Sequence, residues 1–244
     1  RSLTFSGTAQ ASGAIPGGAV RGAVLPIAGT LSPRGDLALW PRCVTPSFAS
    51  LAVGAVTLDE RRLTVCPAGG RAIVQSGPRG LSAALGISAL ALSGRMGETP
   101  LVLTTGPVGL AWPGTLTVRG ADVVLGPADT ATRMRLTNLV ARLGKDFTGT
   151  FDGVDAKLAA VPLDITGAAG DWRFAGGVLT LSGVRFAAAD RLQPARFKTL
   201  AGEDAVLTLK DNRVTAEALV REPDSRRDVM RVSLRHDLAT ARGH

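Results

Sequence analysis

The chain has 244 residues, of which 45% are hydrophobic and only 4% aromatic, and its formal net charge is +8. This length suffices for one large all-β domain or two small ones, and the 30 Gly and 14 Pro repeatedly interrupt any long helix. No run approaches the roughly 20 apolar residues that a membrane-spanning helix needs. The chain begins at Arg1 and ends within a strand-like pattern, so we expect a piece of a longer protein whose signal or anchor lies elsewhere.

The positive charge comes mainly from arginines, which occur singly at alternate positions, as at Arg133 and Arg135. Nucleic-acid surfaces interleave basic residues with aromatic side chains that stack on bases, and this pattern is missing here. We therefore predict a solvated outer face and no nucleic-acid partner. A third alternative, beside the two interpretations of the apolar residues given below, is a protein that binds polysaccharide or nucleic acid through its arginines.

The first informative element along the chain is the segment between Cys43 and Cys66, the only two cysteines. Such a pair suits a disulfide that closes one hairpin, and in an oxidising compartment it would stabilise the fold by about 3 kcal/mol. There is no CxxC motif, and both histidines, His236 and His244, are remote in sequence. We therefore predict neither a metal site nor a cofactor.

Alternation of apolar and polar residues with a period of two then continues to the end of the chain. It predicts strands with one dry and one wet face, which is typical of antiparallel sheets. The predicted dry positions are Leu101, Leu103, Leu116, Val118, Phe147, Phe151, Leu163, Ile165, Trp172, Phe174, Leu179, Leu181, Leu207, Leu209, Val232 and Leu234. Bulges at Gly153 and Gly183 would change the alternation locally.

Two segments are ambiguous. In Thr132 to Gly144 the apolar residues fit a helix or a strand equally well, so we expect an all-β fold with at most one or two short helices. The segment from Ala187 to Ala201 is interpreted as a connection. Composition drifts without a break, which indicates one continuous unit over residues 1–244 with a possible soft subdivision near 128–132.

Catalytic patterns are not evident in the sequence. Nucleophile-elbow, phosphate-loop, dinucleotide and zinc-protease motifs are missing, and adjacent strand residues such as His236 and Asp237 point to opposite faces. The acidic pairs Asp59-Glu60 and Glu203-Asp204 are interpreted as turn residues. We therefore predict that the chain is not an enzyme.

The dry face allows two interpretations. A closed β-sandwich or barrel with a structural or adhesive role and no lipid ligand would cover this face with a second layer about 10 Å away. A long antiparallel sheet that curls lengthwise would instead leave an apolar groove, and Ala, Gly, Val or Leu at many inward positions would leave room in it. Lipid acyl chains would suit such a groove.

The C-terminal third carries an ordered succession of strand motifs: DWRFAGGVLTLSG, ARFKTL, DAVLTLKDNRVTAEALVREP and VSLRHDLATARGH. Together with PRCVTPSFASLAVGAVTLDERRLTVCPAGG around the cysteines, it resembles the YdbH-like family, relatives of AsmA and TamB. The resemblance implies a curled antiparallel sheet, often likened to a taco, whose apolar interior conducts phospholipids between the inner and outer membranes.

The same resemblance implies a periplasmic bridge anchored at the inner membrane through a segment outside this chain. It also implies a small outer-membrane lipoprotein as partner, bound by strand addition. The predicted dry residues would then contact phospholipid acyl chains, while Arg173, Thr180 and Arg185 would face water or the rims. An oxidising periplasm would also favour the Cys43–Cys66 disulfide.

Overall fold

The computed structural model describes residues 1–15, 17–78, 80–159, 161–211 and 213–237, and the backbone of 242–243. Within these residues the chain forms β-strands and no helix, so no described helix could cross a membrane. The all-β, antiparallel fold predicted from the alternation is confirmed. Contacts between residues divide the chain into two compact units, Arg1–Val118 and Arg119–His244.

The first unit begins with two long strands and continues mostly with shorter ones. They are β1 (Leu3–Ile15), β2 (Gly18–Leu31), β3 (Leu37–Leu39), β4 (Ser47–Val53), β5 (Val56–Arg62), β6 (Cys66–Pro67), β7 (Val74–Gly77), β8 (Gly80–Ile87), β9 (Leu90–Met96), β10 (Thr99–Thr105), β11 (Val108–Trp112) and the start of β12 (Gly114–Leu125).

The sheet of the first unit forks at β2. The first half of β2 pairs with β4, and this branch continues through β5 and β9 to β10. The second half of β2 pairs with β3, and this branch continues through β7 and β8 to β11 and β12. All of these pairings are antiparallel.

A disulfide joins Cys43 to Cys66, with the two Cα atoms 4.0 Å apart. Beside it, Val44 and Val65 form an isolated antiparallel bridge. The hairpin of β4 and β5 lies between the two cysteines in sequence, so the disulfide closes the base of this hairpin.

The second unit contains a simple meander in which each strand pairs antiparallel with the next. Its strands are β13 (Thr132–Leu143), β14 (Phe147–Lys157), β15 (Leu163–Ala175), β16 (Val178–Asp190), β17 (Leu200–Lys210), β18 (Arg213–Arg221) and β19 (Asp228–Asp237), followed by the two-residue β20 (Arg242–Gly243). Tight turns join the strands at one rim, and longer connections join them at the other.

Four successive strands of this meander carry a bulge. Gly153, Gly167, Gly183 and Asp204 have positive φ angles of 66°, 61°, 58° and 50°, and the strand register shifts beside each of them. A bulge bends its strand and increases the local twist. Bulges at matching levels of neighbouring strands therefore curve the sheet of the second unit along a line. The bulges predicted at Gly153 and Gly183 are confirmed.

The ambiguous segment from Thr132 to Gly144 forms strand β13. Its residues Leu136 and Leu139 are three positions apart, and they pair with Val154 and Phe151, which are also three apart. Beside Gly153, one extra residue therefore separates successive apolar residues on both β13 and β14. This extra residue produced the helix-like spacing in the sequence.

The structure corrects one predicted connection and adds a loop further along the chain. The expected connection from Ala187 to Ala201 was too long, because β16 continues to Asp190 and β17 begins at Leu200. The polar segment after Arg221 is a loop, in which the Arg226 amide donates to the Glu222 carbonyl over 2.9 Å. Asn212 and His244 lie outside the described residues.

Candidate functional site

Rows of paired residues cross the second unit on one side, which we call the apolar face. Directly paired residues of antiparallel strands place their side chains on the same side of a sheet. One row contains Phe147, Phe174, Leu179, Leu209, Val214 and His236, and the next contains Ala141, Gly149, Trp172, Leu181, Leu207, Ala216 and Leu234. Beyond the bulges a further row contains Phe186, Gly202, Val220 and Met230.

The opposite side of the same strands is polar. The intervening row contains Thr148, Arg173, Thr180, Thr208, Thr215 and Arg235. Arg185 is also exposed. The second unit therefore has one wet and one apolar face, and its arginines at these positions lie on the wet one.

Much of the apolar face remains accessible in the part of the chain that the structure describes. Among the described residues no large side chain is fully buried, and the buried apolar residues of the second unit are all alanines and valines. Large apolar side chains remain accessible on the apolar face, including Met230 at 53%, Leu234 at 44% and Phe174 at 41% exposure. A packed sandwich would bury such residues.

A cavity of about 650 Å³ lies against this face. Its lining consists of Phe151, Val154, Leu163, Ile165, Ala168, Leu181, Val184, Phe186, Ala188, Phe197, Leu200, Ala205, Val206, Leu207, Ala216, Glu217, Ala218, Val220, Val229, Met230, Val232 and Leu234. Glu217 is the one charged residue in this set, and it is exposed. The cavity volume is in the range of small-molecule sites, and its chemistry suits an apolar ligand.

The structure brings together many, but not all, of the residues predicted from the sequence. Seven line the cavity: Phe151, Leu163, Ile165, Leu181, Leu207, Val232 and Leu234. Five share the apolar face outside it: Phe147, Trp172, Phe174, Leu179 and Leu209. The remaining four belong to the first unit: Leu101, Leu103, Leu116 and Val118.

The four predicted residues of the first unit lie on β10 and β12, the last strands of the two branches of its sheet, and these two strands also pair with each other. Leu101 and Leu103 of β10 pair with Gly94 and Leu92 of β9, and Leu101 is buried. Leu116 of β12 pairs with Leu110 of β11 in the other branch. A separate cavity of about 320 Å³ in this unit is lined mainly by polar residues such as Ser32, Asp36 and Gln75, and by none of the four.

Sequence reasoning missed lining residues for two reasons. Val184 and Phe186 follow the bulge at Gly183, where the alternation changes its phase. Phe197 lies on a connection, where alternation gives no signal. The sequence clue to these two residues was Gly183, because one extra residue there restores the apolar series Val184, Phe186, Ala188.

Aromatic side chains lie over glycines of the neighbouring strand on the apolar face. A Cβ atom added to Gly202 would come within 2.3 Å of the Phe186 ring, and one added to Gly149 would come within 2.8 Å of Trp172 Nε1. The Gly149 position would also clash with the Val140 carbonyl oxygen at 1.8 Å. Rings that lie over glycines keep this lining thin, which leaves space above the sheet.

The chemistry of the site contains no sign of metal ligation. Among the described residues no group of three or more His, Cys, Asp or Glu side chains could hold a metal ion. Charged residues near the cavity form ion pairs with each other at the rim where the longer connections lie. Examples are Arg196 with Asp190 and Arg221 with Glu203. The arrangement can hold an apolar ligand with charged groups beside it.

Comparison with known proteins gives one match. The model of a family described as "YdbH-like: Intermembrane phospholipid transport protein YdbH" matches residues 2–244. No curated protein and no solved structure matches the chain significantly.

Proposed function

Because the chain belongs to the YdbH-like family of intermembrane phospholipid transport proteins, we propose that the apolar face of its second unit binds phospholipid acyl chains during transport. One observation carries this proposal: among the described residues, the apolar face has a cavity of about 650 Å³ and large side chains that remain accessible. An apolar surface of this kind requires an apolar occupant.

The free energy of binding would come from burial of the acyl chains. Each methylene group removed from water contributes about 0.8 kcal/mol, so an acyl chain is held by its length without directional contacts. The rows of the apolar face carry mainly apolar residues of varied size on successive strands. A lipid displaced by one strand, ~4.8 Å, therefore meets another apolar surface, which favours sliding over tight binding at one point.

The same proposal extends to the longer protein and its location. We infer that this chain is a segment of a periplasmic bridge, anchored at the inner membrane by a segment outside it, that conducts phospholipids toward the outer membrane. The family's intermembrane role supports this location, and the Cys43–Cys66 disulfide suits an oxidising compartment. The 16 predicted lining residues, including the four of the first unit, are proposed to contact acyl chains along one continuous groove over residues 1–244.

A small outer-membrane lipoprotein is the proposed protein partner, bound by strand addition. In the described part of the chain, β19 pairs with β20 only through His236 and Asp237. Most of the outer edge of β19 therefore offers backbone groups to a further strand, which is the requirement for strand addition. This edge borders Val232 and Leu234, so an added strand would extend the apolar face.

The test of the proposed function is the identity of the lipids that the protein retains. The chain is expressed in the periplasm of a Gram-negative host, purified in a mild detergent, and examined by native mass spectrometry and by mass spectrometry of extracted lipids. We expect bound phospholipids with two acyl chains. A purified, folded chain that retains no lipid, and does not take up a fluorescent phospholipid from vesicles, would contradict the proposal.

A further inference from the structure

The connection between β16 and β17, residues 191–199, brings one aromatic side chain to the cavity from outside the sheet. Phe197 is half-buried and lines the cavity. Every other lining residue lies on a strand of the meander. Phe197 therefore approaches the space above the apolar face from the rim, and not from the sheet beneath it.

The carboxylate of Asp190 holds this connection in place. It accepts hydrogen bonds from Arg196 Nε (2.8 Å), Arg196 Nη2 (3.0 Å), the Arg196 amide (2.7 Å) and the Leu192 amide (3.2 Å). The Asp190 side chain is 0% exposed in this arrangement. These hydrogen bonds hold the pKa of Asp190 well below its ordinary value, and the bond from the Arg196 side chain is the largest cause.

Two further contacts fix the same rim. The Arg196 guanidinium lies 6.0 Å from the centre of the Phe197 ring, within the range of a cation–π interaction. The neighbouring Arg191 donates to the Leu163 carbonyl over 3.0 Å and to the Asp164 carboxylate over 2.7 Å. The residues on either side of Phe197 are thus bound to β16 and to the start of β15, so the ring has a defined position.

We propose that Phe197 is a side wall of the lipid groove that keeps acyl chains from leaving over this rim, with Asp190 and Arg196 as its positioning residues. The inference rests on the proposed function, because it concerns the same cavity. An acyl chain beneath the ring is shielded from water on a side that the sheet does not cover. Removal of the ring opens that side, and the chain then leaves the groove more readily.

The experiment measures how fast the full chain releases a phosphatidylethanolamine that carries a nitrobenzoxadiazole group on one acyl chain. Release is followed by fluorescence after mixing with excess unlabelled vesicles of the same lipid. We expect Phe197→Ala to release the probe about three- to tenfold faster than wild type, because a half-buried apolar ring is lost. Phe197→Leu keeps apolar volume and should remain near the wild-type rate.

The matched control is Leu192→Ala, which removes an exposed side chain of the same connection that does not line the cavity. Asp190→Asn should accelerate release as Phe197→Ala does, and the double variant should release no faster than Phe197→Ala alone, since both changes remove one wall. Arg196→Gln serves the same purpose if Asp190→Asn unfolds.

The outcomes separate this inference from the proposed function. If wild type takes up no labelled lipid, both are overturned. If wild type binds the probe, and Phe197→Ala releases it at the wild-type rate, only the side wall is overturned. Additive effects of Asp190→Asn and Phe197→Ala would also overturn the positioning role, because they would show that Asp190 acts on release by another route.

Discussion

Leu181 and Thr180 are neighbours on β16 whose side chains lie on opposite faces of the sheet. Leu181 pairs with Trp172 and Leu207 and lines the cavity, whereas Thr180 pairs with Arg173 and Thr208 on the wet face. The same substitution at the two positions therefore tests the assignment of faces with little change in sequence. A one-residue error in register would exchange the two results.

We expect Leu181→Asp to weaken binding of a fluorescent phospholipid about tenfold or more, because a carboxylate on the apolar face either stays hydrated and keeps acyl chains away or loses its hydration. Thr180→Asp should bind lipid like wild type, since its carboxylate faces Arg173 on the wet side. Equilibrium titration with vesicles measures both, and circular dichroism confirms that each variant is folded. Equal losses in the two variants would contradict the assigned faces.

At the scale of the strand, the bulges determine which residues reach the cavity. Gly183 has a φ of 58°, and a Cβ atom added to it would meet nothing within 4 Å. A substitution there strains the backbone without a steric clash. Asp204, in the corresponding bulge of β17, already adopts a φ of 50° with a side chain. The two positions therefore form a matched pair for a test of backbone strain.

We expect Gly183→Ala to lower the free energy of unfolding by about 1–2 kcal/mol, the cost of the left-handed conformation for a residue with a Cβ atom. Asp204→Gly should leave it nearly unchanged, because relief of the same strain offsets the greater flexibility of glycine in the unfolded chain. Urea denaturation at neutral pH measures both. A Gly183→Ala variant as stable as wild type would show that the bulge does not require positive φ.

These bulges also explain how far the sequence could predict the site. Alternation correctly grouped Trp172, Leu181 and Leu207, because the strands between bulges keep a period of two. The same alternation could not place Val184 and Phe186, since the extra residue at Gly183 reverses the face of the residues that follow it. Phe197 was beyond reach for a different reason: its position depends on hydrogen bonds between Arg196 and Asp190, which have no periodic signature.

For the molecule as a whole, charge and apolar surface are distributed separately. The net charge of +8 and the sequence pI of about 10.8 alone would suit a polyanion as ligand. In the second unit, however, Arg173 and Arg235 lie on the wet face of the sheet, whereas Leu181 and Leu207 lie on the apolar face. The cavity lining carries no basic residue among the described positions. Binding in the cavity should therefore not depend on the net charge.

Salt dependence distinguishes the two kinds of ligand. We expect the dissociation constant for zwitterionic, acyl-labelled phosphatidylethanolamine to change less than about twofold between ~50 mM and ~200 mM NaCl, because burial of acyl chains involves no counterion release. A polyanion held by about six or more arginines would lose about a thousandfold or more of its affinity over the same range. Leu181→Asp should bind weakly at both salt concentrations. A steep fall in wild-type affinity with rising salt would instead locate the ligand on the arginine-bearing face. In that case Thr180→Asp would alter binding, and Leu181→Asp would not.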